Sequence, residues 1–138
     1  MVRKFRMPRN QDRIAGRMGQ DDRQARQRLR DRVRKAPSTI HGFGCFARIP
    51  FTAGDYIGTY EGPEARRAGK YVLWVYEEGG PPVGRSGRNL LRYLNHRKDG
   101  NAEFDGFDLI ARRNIVPGDE ITFDYDGEFD TRGQSADD

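Results

Sequence analysis

The sequence is poor in metal-binding and cross-linking side chains: it has one cysteine, Cys45, and two histidines, His41 and His96. That excludes an internal disulfide framework and a cysteine-rich zinc cluster, and it leaves too few ligands for a structural metal. No apolar run is long enough to cross a bilayer, and no charged start, apolar stretch and small-residue cleavage site marks a secretory signal. Hydrophobic residues make up only 35% of the 138 residues against 33% charged, which is polar for a compact domain and points to a part without a core. The length still allows one domain with a real core and a small pocket. An intracellular protein follows, in the cytoplasm or nucleoid if the cell is bacterial or archaeal.

The chain also lacks a uniform charge. Residues 1–37 hold thirteen basic and four acidic side chains, a balance of +9. The remaining residues hold twelve and seventeen, a balance of −5, so the overall +4 describes neither part. This excludes a uniformly basic nucleic-acid binder. Residues 1–20 show no sustained apolar period and read as disordered. Asp21 and Asp22 suit a helix start, Ala25, Leu29 and Val33 recur at four-residue spacing, and Pro37 stops the pattern. The spacing predicts a helix near 22–35 within an Arg-rich arm, 1–36. A body over 37–127 and an acidic mobile tail over 128–138 follow.

The body is built differently. Residues 56–60, 71–76, 109–111 and 121–125 are apolar, β-branched or aromatic runs that read as strands. Gly79-Gly80-Pro81-Pro82 is a loop. No long amphipathic helix appears after residue 37, so the fold class is mainly β with short strands. One internal echo stands out. Ala47-Arg48 precedes Gly54-Asp55, and Ala111-Arg112 precedes Gly118-Asp119 at the same spacing; each copy then reaches a tyrosine, Tyr60 or Tyr125. Two ordinary turns would explain this, as would two related β units that bring their tyrosines towards one site.

Three motifs have chemical content. His41-Gly42-Phe43-Gly44 lets the backbone approach a ligand closely, or is a plain turn. Arg92-Tyr93-Leu94-Asn95-His96, with Asn101 beyond it, gathers donors and acceptors in a short span, or is a polar cluster beside a turn. Gly118-Asp119-Glu120-Ile121-Thr122-Phe123-Asp124-Tyr125 alternates as a strand and ends on an acid beside an aromatic.

The order of Gly42-Phe43-Gly44, Tyr60-Glu61-Gly62, Arg92 to His96 with Asn101, and Glu120 to Tyr125 resembles the SET-domain protein lysine methyltransferases over about residues 37–127. The resemblance implies a β-clip-like fold of short curled sheets, with a C-terminal segment passing under a loop as a pseudoknot. It implies S-adenosylmethionine as methyl donor, S-adenosylhomocysteine as product and no metal. His41, Gly42, Phe43 and Gly44 would hold the methionine part of the cofactor. Asn95 and His96 would hold its adenine and amino-acid ends, and Arg92 would brace that loop. Tyr125 matches the catalytic tyrosine. Tyr60 matches the tyrosine of the lysine channel, a second catalytic candidate, and Phe104 and Phe123 would shape that channel. The implied partner is a basic protein or peptide, such as a histone-like, DNA-binding or ribosomal protein.

The sequence departs from the family in two places. Arg97-Lys98-Asp99-Gly100 replaces the usual Ser-Cys-x-Pro, and its glycine is expected to loosen the loop. No cysteine-rich flank closes the channel, so Phe129 folding back or a second subunit in a homodimer would have to close it. The acidic tail suits a basic peptide, and the arm suits nucleic acid. The competing reading is a catalytically degenerate SET domain that acts as a binding module, tethered to nucleic acid by its arm.

Overall fold

The computed structural model describes residues 28–76 and 79–124. The expectations for residues 1–27, for Tyr125 and for the acidic tail fall outside that range. A one-turn helix α1 (Leu29–Arg32) leads into β1 (Val33–Pro37), β2 (Phe43–Ala47) and β3 (Tyr56–Thr59). A small antiparallel sheet follows, β4 (Glu64–Ala65), β5 (Val72–Val75) and β6 (Val83–Ser86), with β6 in its centre. A 3₁₀ helix (Leu90–Tyr93), β7 (Asn95–His96), β8 (Ala102–Asp105), β9 (Asp108–Ala111) and β10 (Glu120–Phe123) complete the order. The larger sheet runs β1-β2-β10-β8-β9-β3, with β7 also paired to β10. The fold is thus mainly β with short curled sheets, as expected.

The helix expected over 22–35 is corrected within the described residues. It ends at Arg32, and Val33 to Pro37 pair residue by residue with Ala47 to Phe43. Leu29 and Val33 do both join the core. Their four-residue spacing is real, but it spans two elements. Val33 is buried while Arg34 and Lys35 are exposed, and the pairing with β2 overrides local helix propensity. The charge boundary near Pro37 therefore lies inside the first strand pair. Buried Arg32 fixes the junction: its Nε donates to the Ile57 carbonyl at 2.9 Å, and its guanidinium lies 5.6 Å from the Tyr56 ring centre. Burial lowers its pKa from the ordinary guanidinium value.

The internal echo proves to be a structural one. β2 with the turn to β3 and β9 with the turn to β10 make the same unit twice, and each unit pairs with the other. Tyr56 faces Ile110 across β3 and β9, and Glu120 faces Phe46 across β10 and β2, which is the same register position in each copy. The Gly54 amide donates to the Ala111 carbonyl, and the Gly118 amide donates to the Ala47 carbonyl, both at 2.8 Å. Asp55 caps its turn by accepting from the Thr52 amide, and Asp119 does the same for Val116. Gly54 and Gly118 adopt φ of 94° and 96°, a left-handed conformation that glycine takes without penalty. On the approximate two-fold between the units, Phe51 and Ile115 exchange two backbone hydrogen bonds, at 2.9 and 2.8 Å. Of the two readings of the echo, that of paired β units is the one observed; the meeting of their tyrosines falls outside the described residues with Tyr125.

β10 is enclosed by the segment before β8. It runs antiparallel to β2 on one side and parallel to β7 and β8 on the other. Asn101 holds it with both side-chain atoms, donating to the Glu120 carbonyl at 3.0 Å and accepting from the Thr122 amide at 2.9 Å. Arg97 adds a backbone bond to the Phe123 carbonyl at 3.1 Å. Gly100 presses on this strand so closely that a Cβ there would stand 2.7 Å from Phe123 Cα and 2.7 Å from the Thr122 carbonyl oxygen. The expectation that Gly100 loosens its loop is therefore corrected: the glycine permits a tight backbone crossing, and its carbonyl accepts from Arg112 at 2.9 Å. The apolar faces meet in one core that includes fully buried Cys45, Ile57, Leu91, Leu109 and Ile121.

Candidate active site

A cavity of about 330 Å³ opens between the turn at His41–Phe43, the segment Lys70–Tyr71 and the stretch Arg92–Asn95. That lies in the usual range of small-molecule sites. It gathers His41, Gly42, Phe43, Arg92 and Asn95, five of the seven residues expected around a cofactor. Gly44 lies buried just behind it in β2. His96 lies beyond it, with Nδ1 3.8 Å from the Asp124 carboxylate. A larger cavity of about 490 Å³ opens beside Glu120, lined by groups such as Thr39, Phe46, Arg97 and Arg113. None of the seven residues expected around a cofactor lines it, so the smaller cavity is the candidate site.

Asn95 organises the cleft. It is 7% exposed, and its Nδ2 donates to the carbonyls of His41 and Phe43 and to Glu120 Oε2, each at 3.0 Å. The side chain thus ties the glycine-flanked turn to β7. Arg92 braces the approach to the same stretch: it donates to the carbonyls of Arg88 and Asn89 at 2.8 and 3.0 Å, and to the Tyr93 hydroxyl at 2.7 Å. Asn89 caps the 3₁₀ helix by accepting from the Leu91 amide.

The rim is aromatic and cationic. Lys35 Nζ stands 4.3 Å over the Phe43 ring and 4.4 Å over the Tyr93 ring. Arg92 lies 4.5 Å over Tyr93, and Lys70 lies 5.3 Å over Tyr71. Phe43 is half exposed at the mouth. The arrangement suits a small molecule with an anionic end and a flat body. Motif reading missed Lys35, Lys70 and Tyr71 as rim groups, while Tyr93 stands within the Arg92–His96 motif.

Tyr60, Phe104 and Phe123 come together within the core, in a row of edge-to-face rings that lines neither described cavity. The centroids are 6.0 Å apart for Tyr60 and Phe104, and 5.0 Å for Phe104 and Phe123. All three are 1% exposed or less. The Tyr60 hydroxyl donates to the Tyr71 carbonyl at 2.6 Å, so the aromatic row meets the cleft at Tyr71. The Tyr125 expected beside it lies outside the described residues.

Cys45 sits under the cleft and has no part in its chemistry. Its Sγ donates to the Leu90 carbonyl at 2.9 Å, and burial pushes the thiol up to about 12. Among the described residues no group of His, Cys, Asp and Glu could hold a metal ion. No helix among them is long and apolar enough to cross a membrane.

Residues 42–126 match the family model of the SET domain. Histone-lysine N-methyltransferase ATX2 of Arabidopsis thaliana is 28% identical over 120 residues, covering 70% of the chain and 11% of that protein. Histone H3-lysine(4) N-trimethyltransferase ATX1 of the same plant is 28% identical over 132 residues, 78% of the chain and 12% of the relative. Histone-lysine N-methyltransferase TRX1 of Oryza sativa subsp. japonica is 30% identical over 121 residues, 70% of the chain and 12% of the relative. The chain therefore spans about an eighth of the length of these relatives.

Proposed function

Because the chain belongs to the SET-domain family, we propose that it is an S-adenosylmethionine-dependent methyltransferase that acts on lysine side chains of a basic protein. The observation that supports this best is the single cleft in which five expected cofactor residues meet, locked by the Asn95 amide. The groups there fit S-adenosylmethionine. Lys35, Lys70 and Arg92 match its carboxylate, and the half-exposed Phe43 ring at the mouth matches its adenine. When bound, that molecule supplies an activated methyl group on a sulfonium centre.

The chain's own part is positioning and desolvation. The His41–Phe43 turn and Asn95 hold the cofactor side. The buried row of Tyr60, Phe104 and Phe123 makes the protein apolar behind the lysine side. A lysine with an ordinary pKa of about 10.4 must be neutral to react, and an apolar setting beside a cationic centre disfavours its ammonium form. Tyr125, directly after Asp124, orients the amine. Alignment of amine and methyl can then supply much of the acceleration. Phe123 offers no hydroxyl to hold a water against the amine, which leaves room for more than one methyl group. The trimethyltransferase among the relatives supports that reading. Mass spectrometry at saturating cofactor will show di- or trimethyl product; monomethyl product alone would contradict it.

The substrate is a histone-like or other basic protein, in line with the names of the relatives. The acidic balance of residues 38–138 favours such a partner, and the basic residues of the arm suit nucleic acid. Deletion of residues 1–27, which spares β1, will abolish a gel shift with nucleic acid if the arm makes that contact; an unchanged shift would move the contact to the body. The central test is incubation of the full chain with labelled S-adenosylmethionine and a panel of basic proteins, beside Tyr125→Phe. Label in the wild-type lanes, reduced strongly in the variant, is expected. Unlabelled wild-type lanes would overturn the enzyme reading for that panel, and equal label in the variant would overturn the role of Tyr125.

A further inference from the structure

From sequence, Glu120 reads as a strand residue that opens the Glu120–Tyr125 motif and carries no site role. The structure gives it more to do. Both its carboxylate oxygens lie 2.9 Å from Ser38 Oγ, and Oε2 accepts from Asn95 Nδ2 at 3.0 Å. Ser38 leads from β1 into the turn at His41, and Asn95 grips the carbonyls of that turn. One carboxylate thus holds the turn from both ends. Gly44 makes room for it: a Cβ on Gly44 would run into the Glu120 carboxylate and stand 3.2 Å from Asn95 Nδ2.

The approximate two-fold supplies a control within the molecule. The position equivalent to Glu120 is Tyr56, and the position equivalent to Gly44 is Asp108. There the polar groups close on themselves: the Tyr56 hydroxyl and Thr59 Oγ1 lie 2.6 Å apart, and Thr59 Oγ1 donates to Asp108 at 2.7 Å. Phe107, the equivalent of Phe43, is covered by Arg85 at 4.0 Å. Only in the other half does a glycine let a carboxylate from the partner unit reach across to a third element, and that half borders the cleft.

The geometry points to Glu120 as a positioning residue of the cleft, acting through Asn95 and Ser38 and setting its affinity for cofactor. This rests on the reading of the cleft as the S-adenosylmethionine site. The amide of Asn95 faces three acceptors, so only its nitrogen can point towards them. The carboxylate provides the charged member of that set, and charge-assisted bonds are the stronger ones. Without it the amide can turn away and release the carbonyls of His41 and Phe43.

Calorimetric titration of the full chain with S-adenosylmethionine and with S-adenosylhomocysteine tests this in Glu120→Ala, Glu120→Gln and Ser38→Ala. The alanine variant of Glu120 is expected to bind about tenfold or more weakly, the range set by losing a bond to a charged group. Gln, which keeps an acceptor for Asn95, should lose less. The KM for cofactor should rise with the dissociation constant while the KM for a basic peptide stays within about twofold, a split that general loosening of the fold would not produce. Amide hydrogen exchange without cofactor should quicken across residues 41–44 and not across 106–109. Dissociation constants within about twofold of wild type, equal rises in both KM values, or unchanged exchange at 41–44 would overturn the inference. If Glu120→Ala does not fold, Glu120→Gln and Ser38→Ala decide it. Wild-type protein that binds neither compound would instead overturn the cofactor reading, and the exchange measurement would still judge whether Glu120 holds the turn.

Discussion

The two cross-paired units, residues 42–58 and 106–122, share backbone, turn and register, yet only the first contributes expected cofactor residues to the candidate cleft. In the second unit, Asp108 fills the space beside its own strand and takes the Thr59 hydroxyl, and Phe107 lies under Arg85. In the first, Gly44 leaves that space empty for Glu120, and Phe43 stands half exposed at the mouth of the cavity. The comparison teaches that the backbone arrangement supplies stability in both halves, while a small number of side-chain differences supply the site in one. A glycine where its counterpart has an aspartate is the smallest of those changes and the one with the widest effect.

The strongest way to break the pair is to remove what they share. Phe51 is 2% exposed and bonds Ile115 at the crossing point. Phe51→Ala is expected to cost about 3–5 kcal/mol by urea unfolding, the range for losing a buried aromatic. A loss below about 1 kcal/mol would mean that the crossing does not hold the units together.

The halves should then respond in opposite ways. Asp108→Ala removes a partly buried bond to Thr59 and should lower stability by about 1–2 kcal/mol, with cofactor affinity unchanged. Gly44→Ala should do the reverse, weakening cofactor binding severalfold with little change in the melting temperature. Thermal melts and calorimetry on both proteins check this, and the same pattern in both variants would contradict the assignment. The turns, by contrast, should respond alike. Gly54 and Gly118 have open space around the missing Cβ and nearly equal φ. Alanine at either should cost about 1 kcal/mol through backbone strain alone, and equally in urea melts.

The smallest expected effect is a pH dependence confined to alkaline solution. Burial raises the pKa of Cys45 from 9.0 to about 12 and also raises that of Tyr56. The folded state therefore holds these protons where the unfolded state releases them. Stability from this source is complete below about pH 9 and falls as pH rises towards 12. Cys45→Ala should flatten that fall relative to wild type in melts between pH 8 and 10, and an equally steep fall would contradict the cause. Thiol reagents should leave Cys45 untouched in folded protein at neutral pH.

Much of the body was legible in the sequence. β3, β5, β9 and β10 follow from runs rich in β-branched and aromatic residues, and the repeated Gly-Asp turns announced the two units. β2 was harder, because Gly42 and Gly44 read as a turn when only Gly42 belongs to one. β1 was misread because Leu29 and Val33 share a core face at helical spacing, and nothing local in Val33 to Pro37 reveals its pairing with β2. Gly100 looked like a flexible point because its contact, the backbone of β10, is distant in sequence. The expected cofactor residues in the cleft were found through motif order. Lys35 and Lys70 were not, and Glu120, though inside a quoted motif, reaches Ser38 and Asn95 only through pairings that the folded chain creates.

The central claim is that the cofactor binds in the half that holds Gly44 and Glu120. Titrating S-adenosylmethionine into isotope-labelled protein and following backbone amide resonances tests it most directly. The account predicts saturable shifts clustered at residues 41–44, 70–71 and 92–96, with residues 106–108 unmoved. Shifts centred on the Phe107–Asp108 half, or around Arg97 and Arg113 in the larger cavity, would contradict it.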